Sequence, residues 1–115
     1  MVEGWHVPTK AEIEVLIDYL GGHQLAGAKL KESGNSHWLS ENNDATNSSG
    51  FTALPGGYRS NASGDYQLLG YWGVFWSSSE LNGMGGRLIM ENISSKAEYA
   101  IDNKAEGFSV RCIRN

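Results

Sequence analysis

Three histidines, one cysteine, an acid-amide run and a set of aromatic rings are the side chains with chemistry to offer. His6, His23 and His37 share no metal-ligand spacing, so they do not spell a zinc site. Cys112 is the sole cysteine, which rules out an internal disulfide or a multi-cysteine metal centre. On a strand it reads as a small buried apolar residue; a reactive thiol would need an exposed, electropositive setting. Gly56-Gly57 lacks the lysine pattern of a phosphate loop, and no nucleophile elbow is present. Glu41, Asn42, Asn43 and Asp44 carry the hard oxygens that calcium prefers. Glu41, Asn43 and Asp44 are therefore a calcium candidate, although the same run also reads as a solvated turn. Nothing here assembles a catalytic set, and no cofactor other than calcium is suggested. The expectation is a protein that binds rather than transforms.

The elements that position these groups follow from composition and pattern. The 115 residues fit a single domain, 1–115, able to bury a core of its own. With 40% hydrophobic and 19% charged residues the chain is globular. Gly, Ser and Asn are abundant, yet there are four Trp, five Tyr and three Phe. That mixture predicts a loop-rich fold whose loops are pinned by large rings. A pI near 5.2 argues against a nucleic-acid partner. No apolar run approaches a bilayer span, and Glu3, His6 and Pro8 interrupt any leader-like stretch, so direct membrane insertion is not expected.

Thr9 and Glu12 form a capping box, followed by Ile13, Leu16, Ile17 and Leu20 on one helical face and a stop at Gly21-Gly22. A shorter helix is predicted from Leu25 to Lys31, weakened by Gly27. Residues 33 to 50 are a long polar loop, and Phe51 to Leu54 reads as a short strand. Strands are predicted from Tyr71 to Ser77, ending at the serine triplet 77–79, and from Arg87 to Ile93, with Tyr99 to Ile101 pairing beside it. The final run alternates, which places Phe108, Val110 and Cys112 inward and Ser109, Arg111 and Ile113 outward. Helices before strands indicate an α+β fold, with helices in the first third packed on short twisted antiparallel sheets.

Several stretches, in order, carry a family resemblance: Gly4-Trp5-His6-Val7-Pro8-Thr9, Gly50-Phe51-Thr52-Ala53-Leu54-Pro55-Gly56-Gly57-Tyr58-Arg59, Gly70-Tyr71-Trp72, Trp76-Ser77-Ser78-Ser79-Glu80 and Gly107-Phe108-Ser109-Val110-Arg111-Cys112. This series resembles the Fibrobacter succinogenes major paralogous domain of bacterial surface proteins and lipoproteins. The resemblance implies a C-type-lectin-like fold, related to formylglycine-generating sulfatase-modifying proteins and to the variable proteins of diversity-generating retroelements. The sulfatase-modifying relatives rely on paired cysteines, so their activity is not expected to carry over to a chain with Cys112 alone. The resemblance to the variable proteins implies that residues 80 to 106 carry ligand contacts. Family members usually have a further strand, often with Cys-Pro, ahead of the Gly-Trp pair. This chain begins Met1-Val2-Glu3. Either a trimmed piece or a shortened copy is therefore expected, lacking the usual first strand, with Cys112 deprived of a disulfide partner. The last strand would keep an open edge for a second copy to pair on.

These readings combine into one expectation: an extracellular or cell-surface module that binds a protein or glycan without catalysis, its alternatives being a structural domain of a surface assembly and a formylglycine-generating-enzyme-like protein without the catalytic cysteine pair. Trp5, Phe51, Phe75, Trp76 and Phe108 fall in apolar patterns and are assigned to the core. Trp38, Tyr58, Tyr66, Tyr71, Trp72 and Tyr99 lie in or near loops, where they serve either to pin loops or to bind. The ligand-binding candidates are Trp38, Tyr58, Tyr71, Trp72 and Tyr99, together with Asn82, Arg87 and Glu91 from the 80–106 segment.

Overall fold

Thr9 opens the first helix as the sequence requires. Its hydroxyl accepts the Glu12 N–H at 3.2 Å while the Glu12 carboxylate accepts the Thr9 N–H at 2.9 Å. The computed structural model describes residues 3–42 and 44–115. Strand β1 (Trp5–His6) leads into α1 (Lys10–Tyr19), and α2 (His23–Leu30) follows after Gly21 and Gly22. Ile13, Ile17 and Leu20 are buried on α1, and Ala26, Gly27 and Leu30 on α2. Gly27, a weak helix former, sits where α2 presses on the turn at Ser95 and Lys96; a methyl group there would collide with the Lys96 carbonyl. Close approach, not propensity, explains this glycine.

The β half comprises β2 (Tyr58–Arg59), β3 (Tyr66–Gln67), β4 (Trp72–Leu81), β5 (Met84–Glu91), β6 (Ala97–Asp102) and β7 (Ile113–Arg114). Every pair is antiparallel: β1 with β7, β2 with β3, and β4-β5-β6 as a three-stranded sheet. The molecule is thus α+β, with both helices in the first third. One face of the three-stranded sheet joins the helices in the core, through Leu88, Met90 and Ala97, with Phe75 and Tyr99 packed at its margin.

Several expectations are corrected. The serine triplet does not end β4: the strand continues to Leu81 past a register shift between Trp76 and Glu80. Ser77 is held inside the sheet, its hydroxyl 2.8 Å from the Tyr99 hydroxyl and 3.1 Å from the Gly86 carbonyl. Phe51 to Leu54 forms no strand, only a bridge between Ala53 and Lys31. The last run is not a continuous strand either. Its alternation fails because Ser109 bridges to the edge of β4 through its main chain, leaving Val110 56% exposed and Ile113 half-buried. Arg111 is exposed as expected, and from there it lies 4.3 Å over the Phe51 ring and donates to the Phe51 carbonyl at 2.9 Å. Trp5, assigned to the core, is 45% exposed. The edge expected to stand open beside the last strand is taken by the chain's own β1, Trp5 facing Arg114 and His6 facing Ile113.

Trp38 is the reverse case. It lies in the polar 33–50 stretch, yet it is fully buried, and its Nε1 donates to the Ala53 carbonyl at 3.1 Å. Beside it Lys31 is 1% exposed. The Lys31 ammonium donates to the carbonyls of Glu91 and Ser94 at 2.8 Å each and to Asn92 at 3.5 Å, and it stands 5.3 Å from the Trp38 ring centre. Burial lowers the Lys31 pKa, and the charges of Asp44 and Glu91 oppose that shift. Asn35 braces the same loop, donating to the carbonyls of Trp38 and Ser40.

Candidate functional site

The face of the three-stranded sheet turned away from the helices gathers half of the residues singled out from sequence. The pairing sets Trp72 opposite Glu91, Val74 opposite Ile89 and Trp76 opposite Arg87, and across the next ladder Arg87 opposite Ala100 and Ile89 opposite Glu98. Side chains alternate along strands, so these residues share one outer face. Tyr58, on β2, stacks on Trp72 with ring centres 5.9 Å apart, and Phe108 packs on Trp76 at 4.4 Å and on Tyr58 at 6.3 Å. The rings roof one end of the face, which leaves Val74 1% exposed.

Beside the rings, along β5 and β6, the face is polar. Arg87 reaches Asp102 at 3.4 Å, with 19% and 35% of the two side chains exposed. A depression of about 200 Å³ is lined by Ile89, Glu91, Ser94, Lys96 and Glu98. A shallower one of about 40 Å³ lies where Tyr58, Trp72, Arg87 and Glu106 meet. The face thus offers rings along β4 and charges of both signs beside them on β5 and β6.

Tyr58, Trp72, Arg87 and Glu91 come together on this face. The remaining candidates do not. Trp38 is a core residue, not an exposed ring, because its indole fills the space under the loop it anchors. Tyr99 belongs to the helix-side face, its hydroxyl on Ser77 and its ring 5.8 Å from the Lys10 ammonium. Asn82 sits at the tip of the β4–β5 hairpin with φ 53°, followed by Gly83 at φ 79°, the conformation that an Asn-Gly hairpin turn selects. Tyr71 is 38% exposed, one residue ahead of β4. Sequence reasoning missed Ile89, Lys96, Glu98 and Glu106 as lining residues. The period-two offset from Trp72 and Arg87 carries that signal once the register is known. Arg59 braces its own loop, donating to the Gly64 carbonyl at 3.1 Å.

The calcium candidates lie on the loop after Ser40. Glu41 and Asp44 are exposed, and Asn43 lies outside the described residues. Asn42 is buried, its amide donating to the carbonyls of Glu32 and Gly34, while its Oδ1 has no hydrogen-bond partner among the described residues. No three His, Cys, Asp or Glu side chains gather as a metal-ligand set among the described residues.

All three histidines pair with glutamates. His6 places Nε2 2.9 Å from Glu12 and Nδ1 2.6 Å from Asn115 Oδ1. His23 donates to the Ala97 carbonyl at 2.7 Å and faces Glu14 at 3.3 Å. His37 stands 2.9 Å from Glu32. The bonds to Glu12 and Asn115 raise the His6 pKa above 6.5, and the Ala97 carbonyl does the same for His23. The Thr9 N–H and His6 lower that of Glu12 below 4.5. A raised histidine pKa stabilises the fold fully below pH 6.5 and less as pH climbs through the folded value. The lowered Glu12 value contributes above pH 4.5 and is lost as pH falls. Thermal melts are therefore expected to peak between about pH 4.5 and 6.5 and to decline toward pH 8. Replacing both His6 and His23 by Gln should flatten the decline; an unchanged slope in that variant would refute the assignment.

An apolar cavity of about 210 Å³ lies between α1 and the edge of β4, lined chiefly by Ile13, Leu16, Phe51, Phe75 and Leu88. Glu12 and Arg111 also stand on its wall, as does Trp76, which belongs to the outer-face register. Within the described residues no helix is long and apolar enough to cross a membrane. No curated protein and no solved structure matches the chain. A family model does match, over residues 3–114: the chain belongs to the Fibrobacter succinogenes major domain family.

Proposed function

We propose that this domain is a non-catalytic binding module with a C-type-lectin-like arrangement, working outside the cell or at its surface. Its contact surface is the outer face of the β4-β5-β6 sheet. The observation that carries this reading is the convergence of Tyr58, Trp72, Arg87 and Glu91 on a face that the helices leave uncovered. Stacked rings beside charges of both signs suit a protein or glycan ligand, because rings supply contact area at small entropic cost and charges set orientation. Contact alone, without bond making or breaking, is what these groups are placed to do.

The test is a glycan and surface-protein array probed with the native domain and with an Arg87→Ala, Glu91→Ala double variant. Signal on an array member should fall at least tenfold in the variant, about 1.4 kcal/mol, with the melting midpoint little changed. Binding that survives both substitutions would overturn this placement of the contact surface.

A further inference from the structure

The two long edges of the three-stranded sheet are treated differently by the chain. Along β4 the edge is sealed: Gly57 donates to the Trp72 carbonyl, Ser109 to the Val74 carbonyl, Trp76 to the Ser109 carbonyl and Ser78 to the Pro8 carbonyl. Those bonds also fix which main-chain groups point where. Val74 and Trp76 point outward from β4, so Gly73 and Phe75 bond inward to Met90 and Leu88. Ile89, Arg87 and Gly85 then face β6 and pair with Glu98, Ala100 and Asp102. The N–H and C=O groups of Ala97, Tyr99 and Ile101 are left pointing away from the sheet. His23 takes the Ala97 carbonyl. Among the described residues nothing takes the outward groups of Tyr99 and Ile101. No proline and no register shift blunts this edge.

We infer that the outer edge of β6 is a strand-addition site for an extended peptide segment with alternating apolar and basic side chains. The inference rests on reading this sheet as the contact surface and names the kind of partner it takes. An added strand would place alternate side chains on the two faces of the sheet. On the helix side it would meet Tyr99 and Ile101, the latter 38% exposed opposite Gly86. On the outer side it would meet Glu98, which has no ion-pair partner among the described residues, and Asp102, held by Arg87 only at 3.4 Å. Apolar residues therefore fit opposite Tyr99 and Ile101, and basic ones opposite Glu98 and Asp102. A second copy fits poorly. The antiparallel self-pairing centred on Ala100 sets Glu98 against the other copy's Asp102 twice, like charge on like charge, and the one centred on Tyr99 needs the Ala97 carbonyl that His23 already holds.

The experiment uses the capped peptide acetyl-Lys-Val-Thr-Val-Lys-amide and amide hydrogen exchange read by NMR. At saturation the Tyr99 and Ile101 amides should slow at least tenfold, while those of Glu98, Ala100 and Asp102 are already protected in the free domain. The same peptide methylated on both valine nitrogens keeps the charge and loses the ladder, and should have no such effect. Glu98→Lys, at an exposed position, should weaken the lysine peptide and favour its glutamate counterpart. Shifts confined to the Arg87 and Glu91 face, without slowing at Tyr99 and Ile101, would overturn the edge site and leave the face reading intact. Equal effects from the methylated peptide, or no response at millimolar peptide, would overturn it as well. Slowing that grows with protein concentration alone would make a second copy the occupant and overturn the assigned partner.

Discussion

Trp38→Ala is expected to cost about 3–5 kcal/mol, the range for deleting a large buried ring. The indole is fully buried against Leu30, Ala53 and Met90 in the core, and its N–H satisfies the Ala53 carbonyl. Its removal leaves a cavity that the 33–50 loop cannot fill, because Asn35 holds the carbonyls of Trp38 and Ser40 and Asn42 those of Glu32 and Gly34, which fixes the loop's own conformation. Against a typical total of roughly 5–15 kcal/mol, this takes a large share of the stability. The melting midpoint should fall by about 10 °C or more. Trp38→Phe should recover most of the loss, short of the hydrogen bond. A midpoint unchanged in Trp38→Ala would mean that the loop is not anchored through this ring.

The second large effect is at Lys31. Lys31→Met keeps most of the side-chain volume but removes the donor shared by the carbonyls of Glu91, Asn92 and Ser94. Each buried acceptor left unpaired costs about 1–3 kcal/mol, so a loss near 3 kcal/mol or above is expected in urea unfolding. The control is Lys29→Met in the last turn of α2, two residues before Lys31, which should stay within about 0.5 kcal/mol. Equal losses at the two positions would show that the cage contributes nothing. Because the Lys31 ammonium sits over the Trp38 ring, the two large substitutions should not add: a double variant should lose less than the sum.

These residues also show what the sequence could and could not convey. The start of α1 was legible because capping is local: Thr9 and Glu12 identify each other within one turn, and Ile13, Ile17 and Leu20 fix the buried face. The pairing of Tyr99 to Ile101 beside the preceding strand was legible for the same kind of reason, since hairpin partners lie close along the chain. Trp38 was misread because its neighbours are polar; its burial comes from Leu30, Ala53 and the far strand β5, which no window around residue 38 contains. Lys31 went unnoticed because the carbonyls that justify a buried ammonium lie sixty residues away along the chain. The alternation from Phe108 to Ile113 is real in the sequence but is not used as a strand, since only Ser109 bridges to β4. Of the candidate site, the four residues that converge depend on the β4–β5 register, and the register shift after Trp76 is a tertiary feature that composition does not encode.

The short ladder between β1 and β7 has a mechanical consequence. The Asn115 N–H donates to the Gly4 carbonyl at 3.0 Å, so the first and last described segments leave the domain at the same corner, held by two paired residues on each side and the His6–Asn115 bond. Tension applied between those ends acts across the ladder and not along it. The bonds then carry load one after another, as in a zipper, instead of sharing it as they would in shear. This corner should yield at low force and peel back to the Thr9 cap while the β4-β5-β6 sheet and its helices stay folded, so the domain would behave under load as a short extensible tether around an intact core.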